Sequence, residues 1–382
     1  MSQKTILVFG GSVLQQSLIE NCRGAGLFTV VIDPDPNADA KHIADAFEVV
    51  QGDDLEGTCN IVEKYNVKGI ITASTDKPLV MMAEIAQKYS FPFISVETAK
   101  QCTDKAKMKE VFYANDIPCA KGFAIKSCPD NTDFPVVVKP RDNSGSRGVK
   151  LCYNKSELAT AISKAIQFSK MSTVMVEEFL EGKEYSVEAL HFNEQTHVLQ
   201  ITEKHTGSLP YFVEAAHIQP SGLADKVEHE IISLVESLAK AFQFNHCASH
   251  TELKISGEEL KIIETSPRLG GDFISSRLVP LSTGINMESA LIEIAMGGIP
   301  DLIRKLDKSS GIFYFDANSK PEVSVLPNDG SVDTLYCIEA NSEIQEKMVQ
   351  SSLDRYGYII LNSDTRNSLF DLKKKIFRNF TN

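Results

Sequence analysis

Residues 250–272 read HTELKISGEELKIIETSPRLGGD. Two runs of alternating apolar and polar residues, His250 to Ile255 and Leu260 to Glu264, flank a Ser-Gly-Glu-Glu connector, the pattern of a β-hairpin closed by a short glycine-containing loop. With that loop centred on Glu258, Glu252 and Glu264 fall directly opposite each other on one face. Like charges opposed across a ladder weaken it, and carboxylates that close perturb each other's ionisation, so something positive belongs between them. A hard divalent cation with oxygen ligands meets that need, most simply Mg2+ with a nucleotide's phosphates completing its shell. Arg268 follows on a Pro-Arg-Leu-Gly-Gly turn and places a fixed-charge fork where a transferring phosphoryl or acyl phosphate group would lie. The plainer alternative, two solvated glutamates on a surface hairpin, is weighed against the rest of the chain.

The 382 residues have room for two or three domains, and 42% hydrophobic with 24% charged residues is ordinary for a globular protein. A formal charge of -12 argues against non-specific nucleic-acid or anionic-membrane binding. No apolar run approaches the roughly 18 residues of a bilayer span. The N-terminus enters a strand at Thr5 without a signal-like apolar region, so the expected location is the cytoplasm, with no membrane and no nucleic-acid partner. Eight cysteines lie singly with no C-x-x-C pair, which fits buried free thiols better than a zinc or redox motif.

Taken in order, the chain opens with strand-like Thr5 onward, the Gly10-Gly11 turn, a helical pattern to about Arg23 and a strand from Phe28 to Asp33. Helix Leu55 to Tyr65, strand Gly69 to Ala73, helix Lys77 to Lys88 and strand Phe91 to Ile94 continue the alternation, which predicts a parallel sheet with helices on both faces. Gly10-Gly11 followed by Asp33 invites a dinucleotide reading, but the third glycine of that fingerprint is missing. Gly10-Gly11 and Ser74-Thr75-Asp76 remain candidates for lining a pocket at the strand ends.

The second unit carries the phosphate chemistry. Thr103-Asp104-Lys105 opens an amphipathic helix, and a lysine in a first turn, where the helix dipole disfavours it, is best explained by an anion in front of it. Lys139 closes an apolar strand, Phe134 to Pro140, and needs a partner. The loop that follows, R-D-N-S-G-S-R-G-V, contains Ser144, Gly145, Ser146 and Gly148, small residues that let main-chain N–H groups approach phosphate oxygens. A helix from Ser156 to Phe168 and a strand from Thr173 to Glu177 lead into E-E-F-L-E-G-K-E. The main chain around Glu178 and Leu180 is placed to read an adenine edge, and Glu184 to accept from ribose hydroxyls.

Strands Tyr185 to Phe192 and His197 to Lys204 precede an expected loop, H-T-G-S-L-P-Y-F-V-E-A-A-H, in which His205, Tyr211, Glu214 and His217 are candidate substrate contacts. Leu223 to Phe242 is a long amphipathic helix read as structural. Beyond the hairpin come a helix from Asn286 to Met296, strands 312–316, 333–339 and 357–361, and a helix from about Ser368. The expected units are 1–97 (α/β), 98–182 (lid with the phosphate loop), 183–310 (metal site) and 311–382 (α+β cap).

Lys105, Lys139, the 141–149 loop, the 177–184 hinge and the Glu252, Glu264 and Arg268 hairpin, in that order, resemble the ATP-grasp superfamily. The closest resemblance is to the branch that holds biotin carboxylase, the carbamoyl phosphate synthetase large subunit and the L-amino acid ligases. It implies an α/β and α+β ATP-grasp fold with an N-terminal Rossmann-like domain and a small C-terminal cap. It further implies ATP between two subdomains, with Lys105 and Lys139 on phosphates, adenine at Glu177, Glu178, Phe179 and Leu180, and ribose at Glu184. Glu252 and Glu264 would bridge two Mg2+ ions, with Mn2+ an acceptable substitute. Family members usually carry Asn where this chain has Ser266, which puts the second metal's third ligand in question. Arg268 and Lys139 are the implied catalytic residues, and Gly271 joins the substrate set. The implied reaction is ATP-dependent ligation of a small-molecule carboxylate to an amine through an acyl phosphate. Bicarbonate activation and a non-catalytic ATP-binding module are the alternatives, and the resemblance leaves room for a homodimer.

Overall fold

A computed structural model of the chain describes residues 3–129, 131–207, 209–316, 320–337 and 355–377. Its first sheet holds β1 (Thr5–Phe9), β2 (Phe28–Asp33), β3 (Ala46–Val49) and β4 (Val67–Ile71), all parallel, in the order β3-β2-β1-β4. Every residue of β1 is buried, because alternate side chains enter different cores. Leu7 and Phe9 pack with Ile61 and Met82, while Ile6 and Val8 pack with Leu18 and Ile19. Those partners come from α1 (Gln16–Gly24), α2 (Leu55–Lys64) and α3 (Leu79–Tyr89). The Gly10-Gly11 turn is closed from within, since Gly11 N–H donates to Asp33 Oδ2 at 2.7 Å and a Cβ on Gly11 would lie 2.8 Å from that of Ala38. The strand expected at Phe91–Ile94 does not form; Pro92 removes a ladder donor there, β4 is left at one edge of the sheet, and β3 pairs with β2 at the other.

Two helices then lead to the second sheet, α4 (Val96–Cys102) and α5 (Lys105–Ala114). Asp104 caps α5 by accepting the Ala106 N–H and also takes both forks of Arg141, Nε to Oδ1 at 2.5 Å and Nη2 to Oδ2 at 2.6 Å. That sheet is antiparallel, in the order β5-β8-β6-β7, from β5 (Gly122–Ile125), β6 (Val136–Pro140), β7 (Lys150–Cys152) and β8 (Val174–Glu178). One face is sealed by α6 (Lys155–Gln167), whose Leu158, Ala161, Ile162 and Ala165 meet Val136, Val138, Val174 and Val176.

The largest sheet has eight strands in the order β13-β12-β9-β10-β11-β14-β16-β15. They are β9 (Lys183–Phe192), β10 (Gln195–Thr206), β11 (Glu214–Gln219), β12 (Cys247–Ser256), β13 (Glu259–Ser266), β14 (Ser309–Phe315), β15 (Val332–Cys337) and β16 (Gly357–Ser363). Helices α7 (Asp225–Ala241), α8 (Val279–Thr283), α9 (Met287–Ala295) and α10 (Arg366–Ile376) complete the chain. The segment expected as loop around Glu214 and His217 is therefore a strand, paired on both sides by β10 and β14. Of the expected strand 333–339, positions 338 and 339 lie outside the described residues. The last helix begins at Arg366, one residue after its Thr365 cap, rather than at Ser368. No described helix is long and apolar enough to cross a membrane.

The hairpin of β12 and β13 reaches the expected register by a different route. Its loop is Gly257–Glu258, with Ser256 paired to Glu259 and Gly257 at φ +62°. That count alone would set Glu252 against Ile263. A one-residue shift between Glu252 and Leu253 sets it against Glu264 instead, so both carboxylates share a face.

Candidate active site

Two opposed glutamates need cations, and the fold delivers one to each. Lys105, from the first turn of α5, places Nζ 3.0 Å from Glu264 Oε2 and donates to Asn143 O at 2.9 Å. This answers why a lysine sits at the positive end of a helix dipole. Lys204, at the end of β10, bonds Glu252 Oε1 and also reaches Glu184 at 3.0 Å and Glu214 at 3.9 Å. Burial alone would discharge it, but three carboxylates around it raise its pKa well above the usual lysine value. His250 Nε2 approaches the same Glu252 oxygen at 3.3 Å. Burial would lower the pKa of His250, yet Glu188 and Glu252 beside it raise it to about 9. Among the described residues no group of three or more His, Cys, Asp or Glu converges to hold a metal ion. The two glutamates are oxygen donors aimed at one space, a set that fits a hard divalent cation only if phosphate oxygens supply more of its shell.

Arg268 is fixed from the first sheet's side. Its Nε donates to Asp76 Oδ1 at 2.9 Å, Nη2 to Asp76 Oδ2 at 3.3 Å, and Nη1 to Leu269 O at 2.9 Å. Ser266 Oγ donates to the same Asp76 Oδ1 at 2.5 Å. Burial would raise the Asp76 pKa, and Arg268 beside it holds it below the usual carboxylate range instead. The Ser266 hydroxyl is thus committed as a donor, with its lone pairs still available as acceptors.

Lys139 finds its partner in Glu177, Nζ to Oε2 at 2.8 Å, and Lys109 approaches the other oxygen at 3.4 Å. All three side chains are buried. Glu177 Oε2 is thus taken by Lys139, while Oε1, buried beside Lys109, has no hydrogen-bond partner. In the loop after Lys139, Gly145, Ser146 and Gly148 all have positive φ, and Ser146 Oγ donates to Phe212 O at 2.9 Å. Ser144 N–H turns back onto Asn143 Oδ1 at 3.0 Å. At the hinge, Glu178 N–H and Phe179 N–H already donate to Lys121 O and Pro135 O, and Leu180 O accepts from Lys254 Nζ at 3.1 Å. Among the described residues no main-chain bond takes the Leu180 N–H. Lys254 stands 5.2 Å from the Phe179 ring centre and 5.6 Å from that of Phe212.

The candidate substrate residues divide. Glu214 and His217 face the site from β11, where Arg355, just before β16, donates Nη2 to Glu214 Oε2 at 2.8 Å and Nη1 to Asp272 Oδ2 at 2.9 Å. His217 Nε2 lies 3.3 Å from Asp272 Oδ2, and burial lowers its pKa to about 4 despite that carboxylate. His217 Nδ1 and Arg355 Nε are buried without a partner, in a network that already holds two carboxylates. Tyr211 is half-buried on the connecting segment, and Gly271 follows Gly270 in the turn beyond Arg268. His205 is not with them. Alternation along β10 sends Lys204 to the site and both Glu203 and His205 to the other face, where Glu203 meets Lys183, His205 and Arg366.

Sequence reading did not single out Lys204, Glu188, Asp272 or Arg355. Lys204 ends an alternating strand just as Lys139 does, and the same argument applied there would have found it. Glu188 is a carboxylate inside the apolar run S-V-E-A-L-H-F, which is a local signal. Asp272 and Arg355 carry none, since their meeting depends on β14 and β16 joining the sheet.

Residues 132–276 match the family model of the ATP-grasp domain. Over 264 residues the chain is 25% identical to the carbamoyl phosphate synthase large chain of Clostridium acetobutylicum, a match that takes in 64% of this chain and 23% of that one. The chain thus spans about a quarter of that relative. The L-amino acid ligase of Bacillus licheniformis superposes with a TM-score of 0.82 at 18% identity over 98% of both chains. The biotin carboxylase domain of the Hydrogenobacter thermophilus 2-oxoglutarate carboxylase, solved with MgADP, ADP and bicarbonate, gives 0.75 at 17% identity over 100% of this chain and 91% of that one.

Proposed function

From the ATP-grasp domain match over residues 132–276 and the fold shared with ATP-grasp neighbours, we propose that the chain is an ATP- and Mg2+-dependent ligase joining a small-molecule carboxylate to an amine. The observation that carries the reading is the Glu252–Glu264 register pair, facing one space with Lys105 and Lys204 on it and Arg268 held at its edge by Asp76. Mg2+ at the two glutamates would draw charge from the phosphate oxygens of the bound nucleotide.

The chain's own groups do the remainder. Lys105 and Lys139 stand at the two sides of the phosphate loop and neutralise phosphoryl oxygens. The substrate carboxylate oxygen attacks the terminal phosphorus, the bond to the bridging oxygen breaks, and ADP leaves with those electrons. Arg268 stabilises the charge that develops at the acyl carbon when the amine adds and phosphate departs. The hinge at Phe179 and Leu180 and the carboxylate of Glu184 are assigned to base and ribose. Glu214 and Asp272, both held by Arg355 beside the site, are assigned to the amine substrate.

The test is ADP and phosphate release measured against pairs of amino acids, with bicarbonate alone as a control arm. Phosphate release that requires both a carboxylate and an amine supports the ligase. Release driven by bicarbonate with no amine requirement assigns a carboxylase-type reaction instead. Glu264→Gln should abolish release with the melting temperature kept; near-normal turnover in that variant would count against the assignment.

A further inference from the structure

We infer that Glu188 and His250 are positioning residues that set the carboxylate of Glu252 for the divalent cation, an inference that rests on the two-glutamate reading above. Glu188 lies in the middle of β9, in register with His250 of β12, and has no exposed surface. A carboxylate there is expensive unless every lone pair is used. It is bonded on both oxygens. Oε1 accepts from His250 Nδ1 at 2.7 Å and from Ser186 Oγ at 3.0 Å, and Oε2 accepts from Ser275 Oγ at 3.2 Å.

Each oxygen begins an arm that ends at the reaction space. From Oε1 the arm crosses the imidazole to Nε2, which stands 3.3 Å from Glu252 Oε1. Both ring nitrogens therefore face carboxylate oxygens, and the ring serves as a donor to each. From Oε2 the arm passes through Ser275 Oγ, which accepts the Gly270 N–H at 2.8 Å, in the turn that carries Arg268. The turn is pressed against the pair. A Cβ on Gly270 would lie 2.6 Å from Glu188 Oε2 and 2.9 Å from His250 Nδ1, so glycine is what lets the main chain come that close. One buried anion thus fixes the distance between the carboxylate on β12 and the turn after β13. This is the job of groups that orient metal ligands from behind.

The experiment measures the rise in melting temperature on ATP addition, once in EDTA and once across a Mg2+ titration, for the full chain and for Glu188→Gln, His250→Asn and His250→Gln. The amide nitrogen of Asn takes the place of Nδ1 and keeps the bond to Glu188, whereas that of Gln takes the place of Nε2 and keeps the bond to Glu252. The Mg2+ concentration at half effect should rise about tenfold or more in Glu188→Gln and His250→Asn. The shift in EDTA should stay as in the parent, and His250→Gln should recover most of the loss. Should Glu188→Gln not fold, Ser275→Ala replaces it and should weaken the Mg2+ dependence in the same direction. Mg2+ titrations of folded His250→Asn and Glu188→Gln that overlay the parent's overturn the inference, as does an equal loss of the shift in EDTA. A parent chain with no Mg2+-dependent shift removes the two-glutamate reading itself, and the positioning role with it.

Discussion

Lys105 Nζ lies 3.0 Å from Glu264 Oε2, so the first turn of α5 is tied to the end of the β12–β13 hairpin. The same ammonium donates to Asn143 O in the loop after Lys139. A phosphate entering between loop and hairpin meets a cation already held in place, which lowers the cost of ordering it.

Lys105→Met removes that cation. A hydrogen bond to a charged group contributes about 1.5–3 kcal/mol, which corresponds to roughly 10–100-fold in binding. The KM for ATP should rise by that factor, and the unliganded protein should also melt lower, because Glu264 loses its partner. Initial-rate kinetics at fixed acceptor concentrations read it directly.

Asp76→Ala leaves Arg268, whose side chain is only 10% exposed, without its carboxylate and frees the Ser266 hydroxyl. Breaking a buried pair from one side costs about 3–5 kcal/mol. Chemical denaturation should show a loss of that order, and turnover should fall further than in a Ser266→Ala control, which keeps the arginine's partner.

Glu177→Ala strands two buried ammonium groups, Lys139 and Lys109, with no anion between them. Stability should drop by about 3–5 kcal/mol. Bound nucleotide should restore more of it than the same nucleotide adds to the parent chain, because phosphate oxygens can take over the charge of Lys139. Melting curves with and without ATP distinguish this from a simple packing defect.

His217 gives a pH dependence. Its folded pKa, about 4, lies below the unfolded value near 6.5, so the folded chain refuses a proton that the unfolded chain accepts. No stability is lost above pH 6.5, and loss grows as pH falls from 6.5 towards 4. At pH 5 it should amount to about 2 kcal/mol. Urea midpoints at pH 7.5 and pH 5 should therefore separate less in His217→Asn than in the parent.

Much of this site was legible in the hairpin, but not for the reason the spacing suggests. Glu252 and Glu264 were placed opposite by assuming a loop centred on Glu258, whereas the tight Gly257–Glu258 loop and the register shift beyond Leu253 offset one another. The lysines at helix start and strand end, Lys105 and Lys139, announced unmet charge and have carboxylate partners. Phe91–Ile94 misled because an apolar run says nothing of whether its amides can pair, and Pro92 prevents it. The 214–219 strand was hidden because one of its two partners, β14, lies far along the chain. His205 was grouped with its neighbours by proximity along the chain, when the two-residue period of β10 turns it away. Asp272 and Arg355 lie beyond any local pattern.

The placement of β14 and β16 beside β11 bears on how the protein is made. A ribosome delivers β11 long before either later strand, so a growing chain presents an unclosed ladder, with the apolar Ala216 and Ile218 still waiting for Phe313 and Leu361. A message cut short after the β12–β13 hairpin would yield a product with both glutamates but no Arg355, and with a sticky margin prone to self-association.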